Sequence, residues 1–190
     1  PSSGSALVCP RRVLRSGSKN ATYLADNAVT SRPRKCIWLV SEVLPDKVHV
    51  QVVETMEIHA GSCLCRAVRF EVDGPLPPVQ FCHCGDCRKA QGSAFGSNIP
   101  LEAKNFRLLN GEDELQAYES SPGKERVFCR RCGSPVFSRL TAKPEALRLR
   151  AGALDAPVRL DRAFHFYVAS KADWWEITDD LPRHPAERPL

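Results

Sequence analysis

Seven cysteines fall between residues 63 and 132 in groups of two, three and two, and this spacing constrains the fold more than any other feature of the chain. The upstream pair is Cys63-Leu64-Cys65, the central group is Cys82-His83-Cys84-Gly85-Asp86-Cys87, and the downstream pair is Cys129-Arg130-Arg131-Cys132. A thiolate is the soft ligand that zinc prefers, and short spacings let one turn bring two or three sulfurs to an ion. A structural zinc takes four protein ligands, whereas a catalytic one keeps three and leaves a position for water or substrate. One closed and one open site therefore account for all seven sulfurs. Spacing alone does not say which pairs combine. The economical division keeps the central triplet intact and joins Cys63/Cys65 to Cys129/Cys132, stapling an early strand to one more than sixty residues later. His83 lies between ligands and is expected to point away from them, and an iron–sulfur cluster would want a fourth cysteine at the triplet.

The other two of the nine cysteines, Cys9 and Cys36, have no ligand partner nearby and receive no metal role. Clustered C-x-C and C-x-x-C spacings without an export signal favour metal over disulfides, so a cytoplasmic location is expected. The longest apolar run, Cys36-Ile37-Trp38-Leu39-Val40, falls far short of the ~18 residues of a membrane span, and no membrane partner is expected. The net charge of +5 is unevenly divided: residues 1–55 carry eight basic and four acidic side chains, and the remainder carries 19 and 18. The cysteine-bearing region is thus nearly neutral, which makes nucleic acid an unlikely partner for it.

Fifteen prolines against three tyrosines and three tryptophans point to short elements and many turns. The expected fold class is mainly β, with small antiparallel sheets built around the metal sites and one or two short helices. Alternation places strands at 67–72 (Val68, Phe70 and Val72 on one face), 147–150 and 163–168, and further strands are expected at 79–81, 95–100 and 105–109. Residues 115–119 and 126–129 read as a hairpin followed by a strand at 136–138, and Asn110-Gly111 marks a turn. Asp86 is the expected N-cap of a short helix ending near Gly92. Trp174-Trp175-Glu176-Ile177 is expected to close the domain, and the proline-rich tail 181–190 to wrap or lie disordered. In residues 1–55 only Val48 to Val53 reads as a strand, and Met56 is the sole methionine. The expected organisation is a disordered or non-native extension over 1–55, a zinc-binding domain over 56–180, and the tail.

Three cysteine motifs in order carry a resemblance. The runs Gly61-Ser62-Cys63-Leu64-Cys65-x-Ala67-Val68, Cys82-His83-Cys84-x-x-Cys87-Arg88-Lys89 with Gly92-Ser93, and Phe128-Cys129-x-x-Cys132-Gly133-Ser134, followed by Trp174, resemble the glutathione-dependent formaldehyde-activating enzyme family. That family shares its domain with centromere protein V, and the resemblance covers roughly residues 57–180. It implies a structural zinc on Cys63, Cys65, Cys129 and Cys132, and a second zinc on Cys82, Cys84 and Cys87, two per chain. It implies a carbon–sulfur lyase-type activity at the open site, forming or cleaving an S-hydroxymethylglutathione-like adduct, with glutathione as substrate or cosubstrate. Arg88 and Lys89 are candidate contacts to a ligand carboxylate. The opposing expectation is a non-catalytic zinc-binding scaffold or interaction module. One departure is Arg66, where the family commonly has glycine.

Overall fold

The computed structural model describes residues 21–24, 34–44 and 47–187, with side chains from residue 57 onward. The chain divides into two compact units between Ile58 and His59. In the first, the backbone of β1 (Ala21–Leu24), β2 (Arg34–Leu44) and the leading part of β3 (Lys47–Ser62) pairs antiparallel in that order. Sequence reading placed a strand only at 48–53; main-chain pairing supplies the rest without side-chain alternation. The expectation of disorder for 1–20, 25–33 and 45–46 lies outside the described residues, as do Cys9, the side chain of Cys36 and the last three residues of the tail.

The second unit carries β4 (Arg69–Asp73), β5 (Gln80–Cys82), α1 (Gly85–Gln91), β6 (Gly96–Glu102), β7 (Phe106–Asn110), β8 (Leu115–Ser121), β9 (Lys124–Cys129), β10 (Pro135–Leu140), β11 (Lys143–Arg150), β12 (Phe164–Phe166) and β13 (Arg183–His184). Eight of these strands form one sheet in the order β13-β12-β5-β6-β11-β10-β9-β8. The mainly β class stands. The sheet is mixed, however, because β12 runs parallel to both β5 and β13, so the antiparallel expectation fails at that edge. A long connection between β5 and β12 is what permits a parallel pair, since a tight hairpin cannot.

Alternation decides what is buried. Val68, Phe70 and Val72, together with Ile99, Leu101, Val127, Phe137, Leu147 and Leu149, form one core, each contributing roughly 1.5–3 kcal/mol by leaving water. β4 also pairs antiparallel with β7, where Arg107 Nη2 lies 2.6 Å from Glu71 Oε2 and 3.3 Å from Asp73 Oδ1.

Two local expectations are corrected, and part of the tail takes the extended course allowed for it. The N-cap of α1 is Cys84, whose sulfur accepts from the Cys87 N–H at 3.4 Å, while Asp86 falls in the first turn. Trp174 and Trp175, expected to close the domain, are exposed. Within the tail, Arg183–His184 is ordered as a strand on β12.

Candidate metal centres

The closed cluster is made by two similar turns. At the end of β3, Cys63 N–H donates to Val68 O (3.1 Å) and Arg66 N–H to Cys63 O (2.9 Å). At the end of β9, Cys129 N–H donates to Ser134 O (2.9 Å) and Gly133 N–H to Cys129 O (2.8 Å). Each turn reverses through a left-handed residue, Arg66 at φ +60° and Gly133 at φ +74°. Glycine takes that conformation freely; arginine does so at a cost. The turns are cross-tied by Leu64 N–H donating to Ser134 Oγ at 3.0 Å.

The four sulfurs of Cys63, Cys65, Cys129 and Cys132 all lie within 4.8 Å of one another. Two of their separations are 3.5 Å (Cys63–Cys65) and 3.9 Å (Cys65–Cys129). A tetrahedron of thiolates ~2.3 Å from zinc has edges of about 3.8 Å, so the spacing fits this ion and is far too long for a disulfide. The Val68 N–H donates to Cys63 Sγ (3.3 Å) and Ser134 Oγ lies 3.2 Å from Cys132 Sγ. The Ser134 hydroxyl, followed by its backbone N–H, draws the Cys132 thiol down to about 5.

The second cluster comes from the end of β5 and the start of α1. Cys82, Cys84 and Cys87 also place their sulfurs within 4.8 Å of one another, with Cys82 and Cys84 3.5 Å apart, and among the described residues no fourth Cys, His, Asp or Glu joins them. A hydrogen bond from the Cys82 thiol draws Cys87 down to about 5, assisted by the charges of Arg126 and Arg150. Cys82 is pushed up by that same sharing with Cys87 and by burial. A metal entering the cluster would displace the thiol protons.

His83 turns away from the sulfurs and is fully buried. Its Nε2 lies 2.8 Å from His165 Nδ1, and His165 Nε2 lies 3.1 Å from Asp179 Oδ2. The carboxylate fixes the tautomers in turn. It accepts from His165 Nε2–H, so His165 Nδ1 must accept from His83 Nε2–H. His83 Nδ1 is then a bare lone pair, which explains how it can stay buried without a partner among the described residues. Burial above all pushes His83 down to about 4, so it is neutral near neutrality. The main chain of His83 donates to Phe166 O (3.0 Å), pinning the cysteine turn to β12.

All seven expected ligands thus converge in the expected groups. Arg88 and Lys89 sit in the last turn of α1, where cations complement the free carbonyls; Lys89 is exposed and Arg88 half-buried. Sequence reading did not single out Asp179, which with His165 closes the chain that anchors His83. It also missed Asn98 and Arg150, buried partners whose side chains hydrogen-bond to each other. The alternation Leu147-Arg148-Leu149-Arg150 carried the signal for the latter, since it puts both arginines on the face opposite the leucines.

Residues 58–170 match the family described as glutathione-dependent formaldehyde-activating enzyme. A Halomonas elongata protein bearing the family's name is 36% identical over 126 residues, covering 62% of this chain and 79% of its own. An uncharacterized lyase of Schizosaccharomyces pombe is 28% identical over 82 residues, covering 43% of this chain and 58% of its own. A protein of Aspergillus flavus, again bearing the family's name, is 22% identical over 116 residues and is covered over 54% of its length. Among the described residues no helix is long and apolar enough to cross a membrane.

Proposed function

Because this chain belongs to the glutathione-dependent formaldehyde-activating enzyme family, we propose that it is a zinc-dependent enzyme of the carbon–sulfur lyase type, acting on the adduct of glutathione with formaldehyde. The observation that carries the reading is the difference in ligand count, four convergent sulfurs in one cluster and three in the other. Cys63, Cys65, Cys129 and Cys132 would hold a structural zinc, and Cys82, Cys84 and Cys87 a second zinc with one position left for a thiol. Zinc bound at the second site lowers the pKa of a coordinated thiol enough to make it a thiolate at neutral pH.

In the addition, the thiol sulfur bonds to the carbonyl carbon of formaldehyde. The π pair moves onto oxygen, and the proton released by the thiol ends there. Cleavage runs the same changes backwards. The chain's own contribution is to hold the three cysteine sulfurs at fixed separations between β5 and α1. The His83–His165–Asp179 chain keeps the turn that carries two of them from shifting. Three cysteinates against a divalent ion leave a net −1, which Arg126 and Arg150 offset from the sheet, and Arg88 and Lys89 are available to a ligand carboxylate. Seven unbridged thiols suit a reducing cytoplasm, where glutathione is kept reduced.

Native mass spectrometry of wild type and Cys84→Ser tests the metal assignment: two zincs are expected to fall to about one, with the fold retained. NMR-followed consumption of formaldehyde with glutathione tests the activity. The wild type should exceed the uncatalysed rate and Cys84→Ser should not; no acceleration by the wild type rules the reading out.

A further inference from the structure

The two turns of the closed cluster differ in one respect that their hydrogen bonds do not explain. Both reverse through a left-handed residue, but one uses Gly133 and the other Arg66. A side chain in that conformation costs free energy that glycine avoids, and such strain gathers where the side chain has a task. The closed cluster gives Arg66 none. Its main-chain N–H donates to Cys63 O (2.9 Å), while among the described residues its guanidinium makes no ion pair or hydrogen bond.

What Arg66 does line is a pocket of about 440 Å³. Backbone pairing builds it. Gly61 bridges Leu154, and Asp155 N–H donates to Ala60 O (2.9 Å), so the end of β3 lies along the segment that leaves β11. Arg150, the last residue of β11, lines the same pocket, together with Gln91 at the end of α1 and Ser97 on β6. Arg150 is 4% exposed; its Nη1 donates to Asn98 Oδ1, and its Nε has no partner among the described residues. Gln91 Oε1 accepts from Ser97 N–H (3.3 Å), and Gln91 Nε2 has no acceptor. A buried guanidinium needs a counter-charge. Three cysteinates on a divalent ion leave the open cluster a net −1, against the two positive charges of Arg126 and Arg150 beside it. The one carboxylate lining the pocket, Asp155, accepts from Ser62 Oγ (2.8 Å) and pairs with neither arginine. No aromatic side chain lines the pocket, so a nucleobase would find no face to stack on.

We propose that this pocket binds a phosphate group between the exposed Arg66 and the buried Arg150, with Gln91 and Ser97 as further donors. A guanidinium fork meets two phosphate oxygens at once. A tetrahedral anion also accepts from donors that approach from several sides, and here they come from a turn, two strands and a helix end. The volume falls within the ~300–1,000 Å³ of small-molecule sites and exceeds what the bare ion fills, so a free phosphate and the ester of a small alcohol both fit. Asp155, Ser62 and Ser134 are available to the hydroxyls of such an ester. This assignment stands whether or not the open cluster turns over its substrate.

Calorimetric titration of the zinc-loaded full chain with inorganic phosphate and with glycerol 3-phosphate tests this, with glycerol as the uncharged control. At least one phosphate should saturate the wild type, and glycerol should not. Tighter binding of glycerol 3-phosphate assigns the site to an ester; equal or weaker binding assigns it to the free ion. Arg66→Gly should weaken the phosphate that binds by about tenfold, the loss expected for one charge-assisted hydrogen bond, although it makes the fold more resistant to urea. Arg66→Lys, which keeps the charge, should recover most of that loss. An arginine with only a structural role would change stability and leave phosphate affinity unmoved. Ser97→Ala serves where circular dichroism shows that Arg66→Gly has lost its fold. Cys84→Ser, which removes a ligand of the open cluster, should bind phosphate within twofold of wild type. The proposal is overturned if neither phosphate binds saturably, or if Arg66→Gly and Ser97→Ala both bind within twofold of wild type. It is overturned equally if Cys84→Ser or an excess of glutathione abolishes binding, since the anion would then sit on the open cluster.

Discussion

Arg66 holds the left-handed conformation that Gly133 holds in the matching turn of the closed cluster, and two such similar turns isolate what a side chain costs there. A non-glycine residue in this region is raised by ~1–2 kcal/mol, and the greater freedom of unfolded glycine returns part of the difference. Arg66→Gly should therefore raise stability by roughly 0.5–1 kcal/mol, read as a higher urea midpoint with an unchanged slope. Ser134 accepts from Leu64 N–H and touches Cys132 Sγ, so one hydroxyl both ties the two turns and favours a thiolate. Removing a partner of a metal ligand typically costs ~10–100-fold in affinity. Ser134→Ala should accelerate zinc transfer from the closed site to a chromophoric chelator by a factor in that range, while the open site exchanges as before. The cysteines themselves were legible from spacing. The positive φ of Arg66 was not, because it follows from closing a turn on Cys63 rather than from anything arginine prefers.

At the level of elements, the open site depends on how closely α1 lies on β6. A Cβ added at Gly96 would come within 2.9 Å of Gln91 Nε2 and 3.1 Å of Cys87 Cβ. Gly96→Ala should push the helix off the strand and displace Cys87, lowering occupancy of the second site in native mass spectra while leaving the first filled. The same turn is held from the other side by His165, which accepts from His83. His165→Ala leaves a buried N–H without an acceptor and should cost about 2 kcal/mol in chemical unfolding. Strand positions were largely legible from alternation, as in Val68, Phe70 and Val72 or Leu147 and Leu149. The polar alternates were read only as outward-facing residues. That Arg148 joins Arg126 across Ser138 depends on the register of β9, β10 and β11, which periodicity within single strands does not contain.

For the molecule as a whole, the two clusters differ in the length of chain they close. A metal in the first would join Cys63/Cys65 to Cys129/Cys132, and tying a loop of more than sixty residues would remove roughly 4 kcal/mol of unfolded-state entropy, while a metal in the second would close six residues and remove about 2. Cys129→Ser should accordingly lower the thermal midpoint far more than Cys84→Ser, a contrast that calorimetry of the two zinc-loaded variants measures directly. The sequence by itself determined the seven clustered cysteines, the mainly β class and the family, because those reside in residue identity and local spacing. Tertiary structure alone decided that β12 enters the sheet parallel, that His83 is anchored through His165 to Asp179, and that Arg126 and Arg150 stand beside the open cluster. Each of these joins positions distant in the chain, and only the packing of the strands sets which distant side chains meet. The triplet Cys82, Cys84 and Cys87 could be read as one ligand short from its spacing; the cations beside it became visible only when the sheet was assembled.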